Sequence, residues 1–415
     1  MKTAAILTIG DELLIGQVVN SNASFIGQKL SEVGVEVLRT IVVGDVYSGI
    51  FSALEEYFGK VDVLLVTGGL GPTHDDITKK VISDFFRVPL VLDEAVLDNV
   101  RNRLSKRGIP LGKVNEEQAL VPEGCEVLMN HWGTAPGMLF ERERKMLCVM
   151  PGVPHEMQNL LAEYVLPKLR ARAAGQVIKH RVLRTTGIAE SSLSELIGNV
   201  DKILEGKATL AFLPSQFGVR LRISVKASTS SEADATIAEI ERRIREKAGR
   251  FIYSEGEVEL EEVVGKLLRE KKLSVSFAES CTGGYICHRI TNISGSSSYF
   301  GRGLVVYSNE SKIELLNVDP ELIHKFGAVS EETARAMASG VKIASGSDIG
   351  LSVTGIAGPT GGTPEKPVGL VFIGLADAGG IASRQLMFPD DRLRFKERVS
   401  QAALDFLRKR LLGID

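Results

Sequence analysis

The first 172 residues alternate between short, almost wholly apolar runs and longer segments whose apolar residues return every three or four positions. Ala4 to Ile9, Val35 to Val43 and Val61 to Val66 read as strands, with helices over Ser24 to Glu32 and Ile50 to Phe58 between them. Unbroken apolar strands are covered on both faces, so this order predicts a parallel sheet with right-handed helical crossovers. Beyond it, helices are expected over Lys79 to Phe86 and 157 to 172, and a strand over Lys145 to Val149.

From Val177 to Tyr253 the pattern is that of a small α+β module. A strand leads to a helix over Ser191 to Leu204, strands Thr209 to Leu213 and Val219 to Ala227, a charged helix Ser231 to Ala248 and a strand Phe251 to Tyr253. The acidic stretch Glu255 to Glu262 then opens a helix over 259 to 270, whose first turn favours negative charge. Strands from Ser274, over Leu304 to Val306, and over Ile349 to Val353, Val368 to Ala376 and Ser383 to Phe388 follow. Helices are expected over Tyr285 to Thr291, Ser330 to Ser345 and Arg392 to Leu412. The fold class expected is α/β: two α/β/α layered domains, 1–172 and 255–415, joined by a small α+β domain at 173–254.

A length of 415 residues accommodates such an arrangement, each part large enough for its own core. The net charge of −2 gives no electrostatic reason for general nucleic-acid binding. A basic run, Lys168, Arg170, Arg172, Lys179, Arg181 and Arg184, reads as a solvated helix end and interdomain surface. The four cysteines, Cys125, Cys148, Cys281 and Cys287, lack the spacing of a zinc site or disulfide framework, which fits a reducing cytoplasm. The apolar start meets Asp11 and Glu12 at once and reads as a strand rather than a signal peptide; no membrane span is expected.

Chemistry concentrates where predicted strands end. Ser274-Val-Ser-Phe-Ala-Glu-Ser280-Cys-Thr-Gly-Gly284 breaks a strand through small residues into a helix, a junction that points backbone N–H groups at whatever lies above Ser280. Taken alone, Ser280 reads first as a helix cap and only second as a nucleophile. As a nucleophile it needs a base, and His288 and His324 both lie within helical patterns. Lys312 could serve if burial lowers its pKa, with Tyr307 relaying the proton or holding Lys312 in place. Cys281 is an alternative nucleophile at the same helix start. Val353-Thr-Gly-Ile-Ala-Gly-Pro-Thr-Gly-Gly362 is a glycine loop suited to close approach by a ligand.

In the first domain, Thr67-Gly-Gly-Leu-Gly-Pro-Thr-His-Asp-Asp76-Ile-Thr78 lies between a strand and a helix and is a candidate phosphate cradle. Asp75 and Asp76 are ligands of the kind Mg²⁺ takes; a single Asp there reads as a cap. Gly10 to Asn22 brings Asp11, Glu12, Asn20 and Asn22 to the same edge, and Pro151 to Met157 brings His155 and Glu156. His74 and His155 read as solvated loop histidines.

The set Ala278-Glu-Ser-Cys-Thr-Gly-Gly284, Gly295-Ser-Ser, Val306-Tyr-Ser-Asn309 with Lys312, Gly327-Ala-Val-Ser330, Thr354-Gly-Ile-Ala-Gly-Pro359 and Lys366-Pro-Val-Gly369 closely resembles the CinA (competence/damage-inducible) family. Its C-terminal domain is similar to nicotinamide mononucleotide deamidases. The resemblance implies Ser280 as nucleophile with Tyr307 and Lys312 as activating partners, and hydrolysis of the nicotinamide mononucleotide carboxamide to nicotinic acid mononucleotide and ammonia without a cofactor. Cys281, Thr282, Gly283 and Gly284, with Thr354, Gly355, Ile356, Ala357 and Gly358, would hold the substrate. Thr67 to Thr78 is similar to the molybdopterin-binding signature, and Gly133-Thr-Ala-Pro-Gly137 agrees with it. There the resemblance implies a metal-dependent ADP-ribose pyrophosphatase: Asn20, Asn22, Thr67, Gly68, Gly69, Gly71 and Thr78 on phosphate, and Asp11, Asp75, Asp76 and Glu156 on a divalent metal. It also implies a KH-like middle domain, although 173–254 contains no G-x-x-G loop, and a homodimer. A nucleotide- or pterin-binding regulatory protein without turnover is the rival from another class.

Overall fold

The computed structural model describes residues 2–71, 73, 76–106, 108–172 and 177–414; His74 and Asp75 lie outside the described residues. The chain forms two compact units, residues 1–179 with 225–235, and residues 180–224 with 236–415.

In the first unit six strands lie in the order β2-β1-β3-β8-β7-β6. They are β1 (Lys2–Ile9), β2 (Val35–Val43), β3 (Val63–Thr67), β6 (Glu126–Leu128), β7 (Gly137–Arg142) and β8 (Lys145–Met150); β4 (Leu90–Leu92) and β5 (Leu120–Pro122) form a separate ribbon. Alternate residues of β1 serve two cores. Ala4 and Ile6 pack with Leu65, Met146 and Leu161 on one face, and Ala5 and Leu7 with Leu64, Val81 and Leu147 on the other. The expected parallel pairing holds for β1, β2, β3 and β8, but β7 runs antiparallel to β8 and β6 to β7. A parallel return needs a crossover of a dozen residues or more. Between β7 and β8 there are only Glu143 and Arg144, both at positive φ, which makes a tight hairpin.

A small antiparallel sheet, order β10-β11-β9-β12, follows: β9 (Val177–Thr185), β10 (Ala208–Ser215), β11 (Gly218–Ala227) and β12 (Ile252–Glu255). The helix expected over Ser191 to Leu204 is two, Glu190–Ile197 and Val200–Leu204. Gly198 at φ 75° ends the first, and the Asn199 side chain accepts from the Lys202 N–H to start the second. Five of the six cations in the basic run meet carboxylates: Lys168 with Glu126, Arg172 with Glu141, Lys179 with Asp234, Arg181 with Glu241 and Glu255, and Arg184 with Glu257 and Glu259.

The last sheet has the order β14-β13-β15-β16-β17, with β13 (Val275–Glu279), β14 (Phe300–Val305), β15 (Ile349–Gly355), β16 (Leu370–Asp377) and β17 (Gly380–Met387). Strands β13, β14 and β15 are parallel, and β16 and β17 are added antiparallel. Helices Leu260–Lys271 and Arg392–Leu412 cover one face, around Phe277, Leu351 and Ile373; helix Glu331–Ser345 covers the other, where Met337 and Val341 meet Ala278. The central position of β13 brings its carboxyl end between those of its two parallel neighbours, where open α/β sheets take ligands. No helix among the described residues is long and apolar enough to cross a membrane.

Candidate active site

Strand β13 ends at Glu279, and its carboxylate settles how the following turn is built. Fully buried, it accepts from the N–H groups of Gly284 (3.0 Å), Ile286 (3.1 Å) and Cys287 (2.8 Å). The positive start of helix Tyr285–Thr291 is therefore met by the chain's own carboxylate. The expectation that this helix end faces an anion above Ser280 is corrected accordingly. Gly283 is also engaged, its N–H donating to the Ser280 carbonyl at 3.2 Å. The N–H groups of Cys281 and Thr282 remain, both close enough to the Cys281 sulfur to hold its pKa down. Burial outweighs them and pushes that thiol up to about 12. Ser280, 8 % exposed, is fastened by its N–H to the Val353 carbonyl of β15 at 3.1 Å. Thr282 is fully buried, and among the described residues its hydroxyl has no partner.

Lys312, in helix Asn309–Leu316, is 1 % exposed. Its Nζ donates to the carbonyls of Val306 (3.0 Å), Tyr307 (3.0 Å) and Ser308 (3.2 Å). Three carbonyls match the three donors of an ammonium. Desolvation lowers the pKa below 10.5, while the Cys281 and Glu310 charges act in the opposite sense. The Val306 N–H donates to the Glu279 carbonyl at 2.9 Å, which sets the Val306 carbonyl, and Lys312 with it, at the end of β13 beside the Ser280–Cys281 turn. Tyr307 holds Lys312 through its carbonyl; its phenol is 62 % exposed and accepts from Arg392 Nη2 at 3.1 Å. No side-chain hydrogen bond joins Ser280, Tyr307 and Lys312 directly, so the expected proton relay through the phenol is not drawn in this geometry.

The glycine loop after β15 is crowded by protein. A Cβ on Gly355 would lie 2.7 Å from the Leu370 carbonyl oxygen, and one on Gly358 2.5 Å from Val368 Cγ1. The Ile356 N–H donates to Leu370 O, and the Thr354 hydroxyl to Ala328 O at 2.7 Å. Ala357 is buried. These glycines first permit close packing against residues 368–371, where close approach by a ligand was expected.

In the first unit the structure brings Asn22, Thr67, Gly68, Gly69 and Thr78 together. Asn22 Nδ2 donates to Gly152 O at 2.7 Å and Thr67 Oγ1 at 3.3 Å, Thr67 Oγ1 donates to Pro151 O, and Thr78 Oγ1 donates to Gly68 O. Gly68 and Gly69 have positive φ, and a Cβ on either would lie within 2.2 Å of Ile9 O or Thr78 Oγ1. Asn20 caps helix Ser21–Glu32 and donates to Thr8. Among the described residues the buried Asn22 Oδ1 has no partner.

The carboxylates are drawn into separate local networks. Asp11 exchanges hydrogen bonds with Asp45, Asp76 accepts from Thr73 and lies against Gly71, and Glu156 accepts from Asn130 at 2.7 Å beneath Gly133. Among the described residues, no group of three His, Cys, Asp or Glu side chains is placed to hold a metal ion. Asp11, Asp76 and Glu156 are thus not gathered into one cluster; Asp75, the fourth of the expected set, lies outside the described residues.

Comparisons with known proteins bear on the whole chain. Residues 257–411 match the CinA C-terminal domain, 5–171 the probable molybdopterin binding domain, and 180–254 the damage-inducible protein CinA KH domain. A CinA-like protein of Chloroherpeton thalassium is 46 % identical over 416 residues, covering 98 % of this chain and 99 % of that one. The chain belongs to the CinA family. A CinA-like protein of Dictyoglomus thermophilum is 44 % identical over 409 residues, with 99 % of each chain covered. Among solved structures, the competence/damage inducible protein CihA from Agrobacterium tumefaciens is 39 % identical, covering 36 % of this chain and 91 % of its own, with a TM-score of 0.35.

Three residues of this CinA family member were missed in sequence. Arg392, at the start of the terminal helix, donates to Tyr307 and, at 3.0 Å, to Gly358 O. Lys396, one turn on, has its Nζ 3.7 Å from where a Gly283 Cβ would stand. Neither carries a motif, since each reads as one more charge on an amphipathic helix. Asn130 is fully buried with its polar groups engaged by Ala135, Glu156, Trp132 and Gly133; a lone polar residue between short strands was its only signal.

Proposed function

We propose that residues 255–415 hydrolyse the carboxamide of nicotinamide mononucleotide to nicotinic acid mononucleotide and ammonia, with Ser280 as nucleophile. The observation that carries this reading is Lys312, buried beside the Ser280–Cys281 turn with its pKa lowered by desolvation. Only a neutral amine can take a proton, and desolvation favours that form. Losing a proton frees one carbonyl contact and a lone pair on Nζ. The Ser280 oxygen attacks the carboxamide carbon and its proton passes to Lys312. The tetrahedral oxyanion lies against the N–H groups of Cys281 and Thr282, since those of Gly283 and Gly284 are engaged. Collapse expels ammonia with the proton returned by Lys312, and water then cleaves the Ser280 ester. Arg392 and Lys396 supply positive charge for the ribose phosphate. The test is ammonia release from nicotinamide mononucleotide by the full chain and by Ser280→Ala. Binding without turnover in the full chain would support the regulatory rival.

A second proposal concerns residues 1–172, where the Gly68–Gly69 turn, at positive φ and bare of side chains, gathers Asn22, Thr67 and Thr78 and supports binding of a nucleotide pyrophosphate. The activity proposed is hydrolysis of ADP-ribose. A divalent-metal requirement belongs to the same proposal and is read from turnover with Mg²⁺ against excess chelator. A cytoplasmic homodimer completes the reading; four free thiols are in keeping with a reducing compartment.

A further inference from the structure

The second unit contains a cavity of about 740 Å³ whose lining includes none of Ser280, Tyr307 or Lys312. Loop 186–190 and the turn between β10 and β11 form one side; β17 and the terminal helix form the other. Its floor is ionic. Lys409 and Asp405, each 4 % exposed, stand with Nζ 2.7 Å from Oδ2, while Asp405 Oδ1 accepts from Arg408 Nε (3.0 Å) and Nη2 (2.8 Å). Two buried cations thus share one carboxylate, leaving an excess positive charge out of water, an arrangement that favours an added anion.

Of the two cations Lys409 lines the cavity, together with Asp405, while Arg408 does not. Its ammonium has three donors. Asp405 meets one side and the Phe251 ring another, 5.5 Å away; among the described residues no second acceptor faces it. Gly187, at φ 73°, passes directly over the pair, and a Cβ there would be 3.1 Å from Asp405 Oδ2 and 3.4 Å from Lys409 Nζ. The missing side chain keeps that corner open. Around the whole lining, four Lys or Arg face three Asp or Glu. Arg398 is held over Phe388 at 4.6 Å and paired with Asp390 at 2.8 Å, and Phe217 lines the opposite side. The volume lies within the range of small-molecule sites, roughly 300 to 1,000 Å³.

We propose that this cavity is a second ligand site, taking a mononucleotide-type anion with its phosphate on Lys409 and Arg398 and its aromatic base against Phe217, Leu386 and Phe388. A buried cation with open donors selects the phosphate, and the aromatic walls select a flat base. The test is photolabelling of the full chain with 8-azido-adenosine monophosphate, followed by peptide mapping. Label is expected in peptides carrying 214–219 or 386–390, competed by AMP, with adenosine or inorganic phosphate needing at least about tenfold higher concentration. Lys409→Met leaves Asp405 and Arg408 matched one to one and should fold with an unchanged melting temperature while losing at least about tenfold in labelling. Should that variant fail to fold, Arg398→Ala reads the same loss. Ser280→Ala labels like the unmodified chain, which separates this cavity from the Ser280 site. Label absent from both segments, or undiminished in the folded variants, overturns the proposal.

Discussion

Arg392 joins two loops that are distant in sequence: Nη2 donates to the Tyr307 phenol at 3.1 Å while Nη1 donates to the Gly358 carbonyl at 3.0 Å. A planar guanidinium can make both bonds at once, whereas a lysine offers one point charge. Arg392→Lys is therefore expected to loosen the mouth of the site. Losing a hydrogen bond from a charged group costs about 1.5 kcal/mol or more. The Michaelis constant for nicotinamide mononucleotide should rise about tenfold, with turnover changing less. An unaltered constant would remove Arg392 from substrate binding.

Ser280 and Cys281 are adjacent, but their environments differ in consequence. Burial pushes the Cys281 thiol up to about 12, so it remains protonated and unreactive near neutral pH. Cys281→Ala should keep most of the deamidase activity, and Ser280→Ala should lose roughly a thousandfold or more. Parallel ammonia-release assays decide; the reverse ranking assigns the attack to sulfur.

For Lys312 the sign of the pH effect follows from desolvation. Its folded pKa lies below 10.5, so between the folded and unfolded values the unfolded chain holds more protons, and stability rises with pH across that window. The neutral amine grows through the same window, so kcat/KM should climb with pH along a limb lying below that of an ordinary lysine. Lys312→Arg, which cannot deprotonate, should lack the limb and nearly all activity. A profile identical in the variant would exclude Lys312 as base.

Glu279 fastens the turn that presents Ser280, through three N–H groups. In Glu279→Gln the amide keeps one acceptor oxygen and turns an NH₂ toward backbone donors, so at least one N–H is left buried and unpaired. The cost is about 1 to 3 kcal/mol. Chemical denaturation should show that loss together with reduced deamidase activity; wild-type stability would mean that the helix start has other support.

In the first unit, Gly69→Ala places a methyl group 2.1 Å from Thr78 Oγ1 at a φ of 64°. The cradle must open or Thr78 must turn. ADP-ribose binding, followed by calorimetry, should weaken by at least about tenfold while ammonia release is unchanged. Equal affinity in the variant would place the ligand elsewhere.

Apolar runs and turn residues alone determined most strands and helices, because burial on two faces of a sheet imposes a pattern that any local window displays. They also marked the strand ends as the place for chemistry, and the family resemblance supplied roles for Ser280, Tyr307 and Lys312. Where each hydrogen-bonding group is directed was decided only by tertiary structure. Glu279 belongs to an apolar strand by position, yet folding inserts its carboxylate under a helix and removes two of the expected N–H donors. Lys312 meets three carbonyls because helix Asn309–Leu316 turns back over the end of β14. Arg392 and Lys409 read as ordinary charges on one amphipathic helix; packing alone sets the first between the Tyr307 and Gly358 loops and the second, buried, beside a cavity. Periodicity is a local property, but satisfaction of buried polar groups is settled by neighbours that the chain order does not make adjacent.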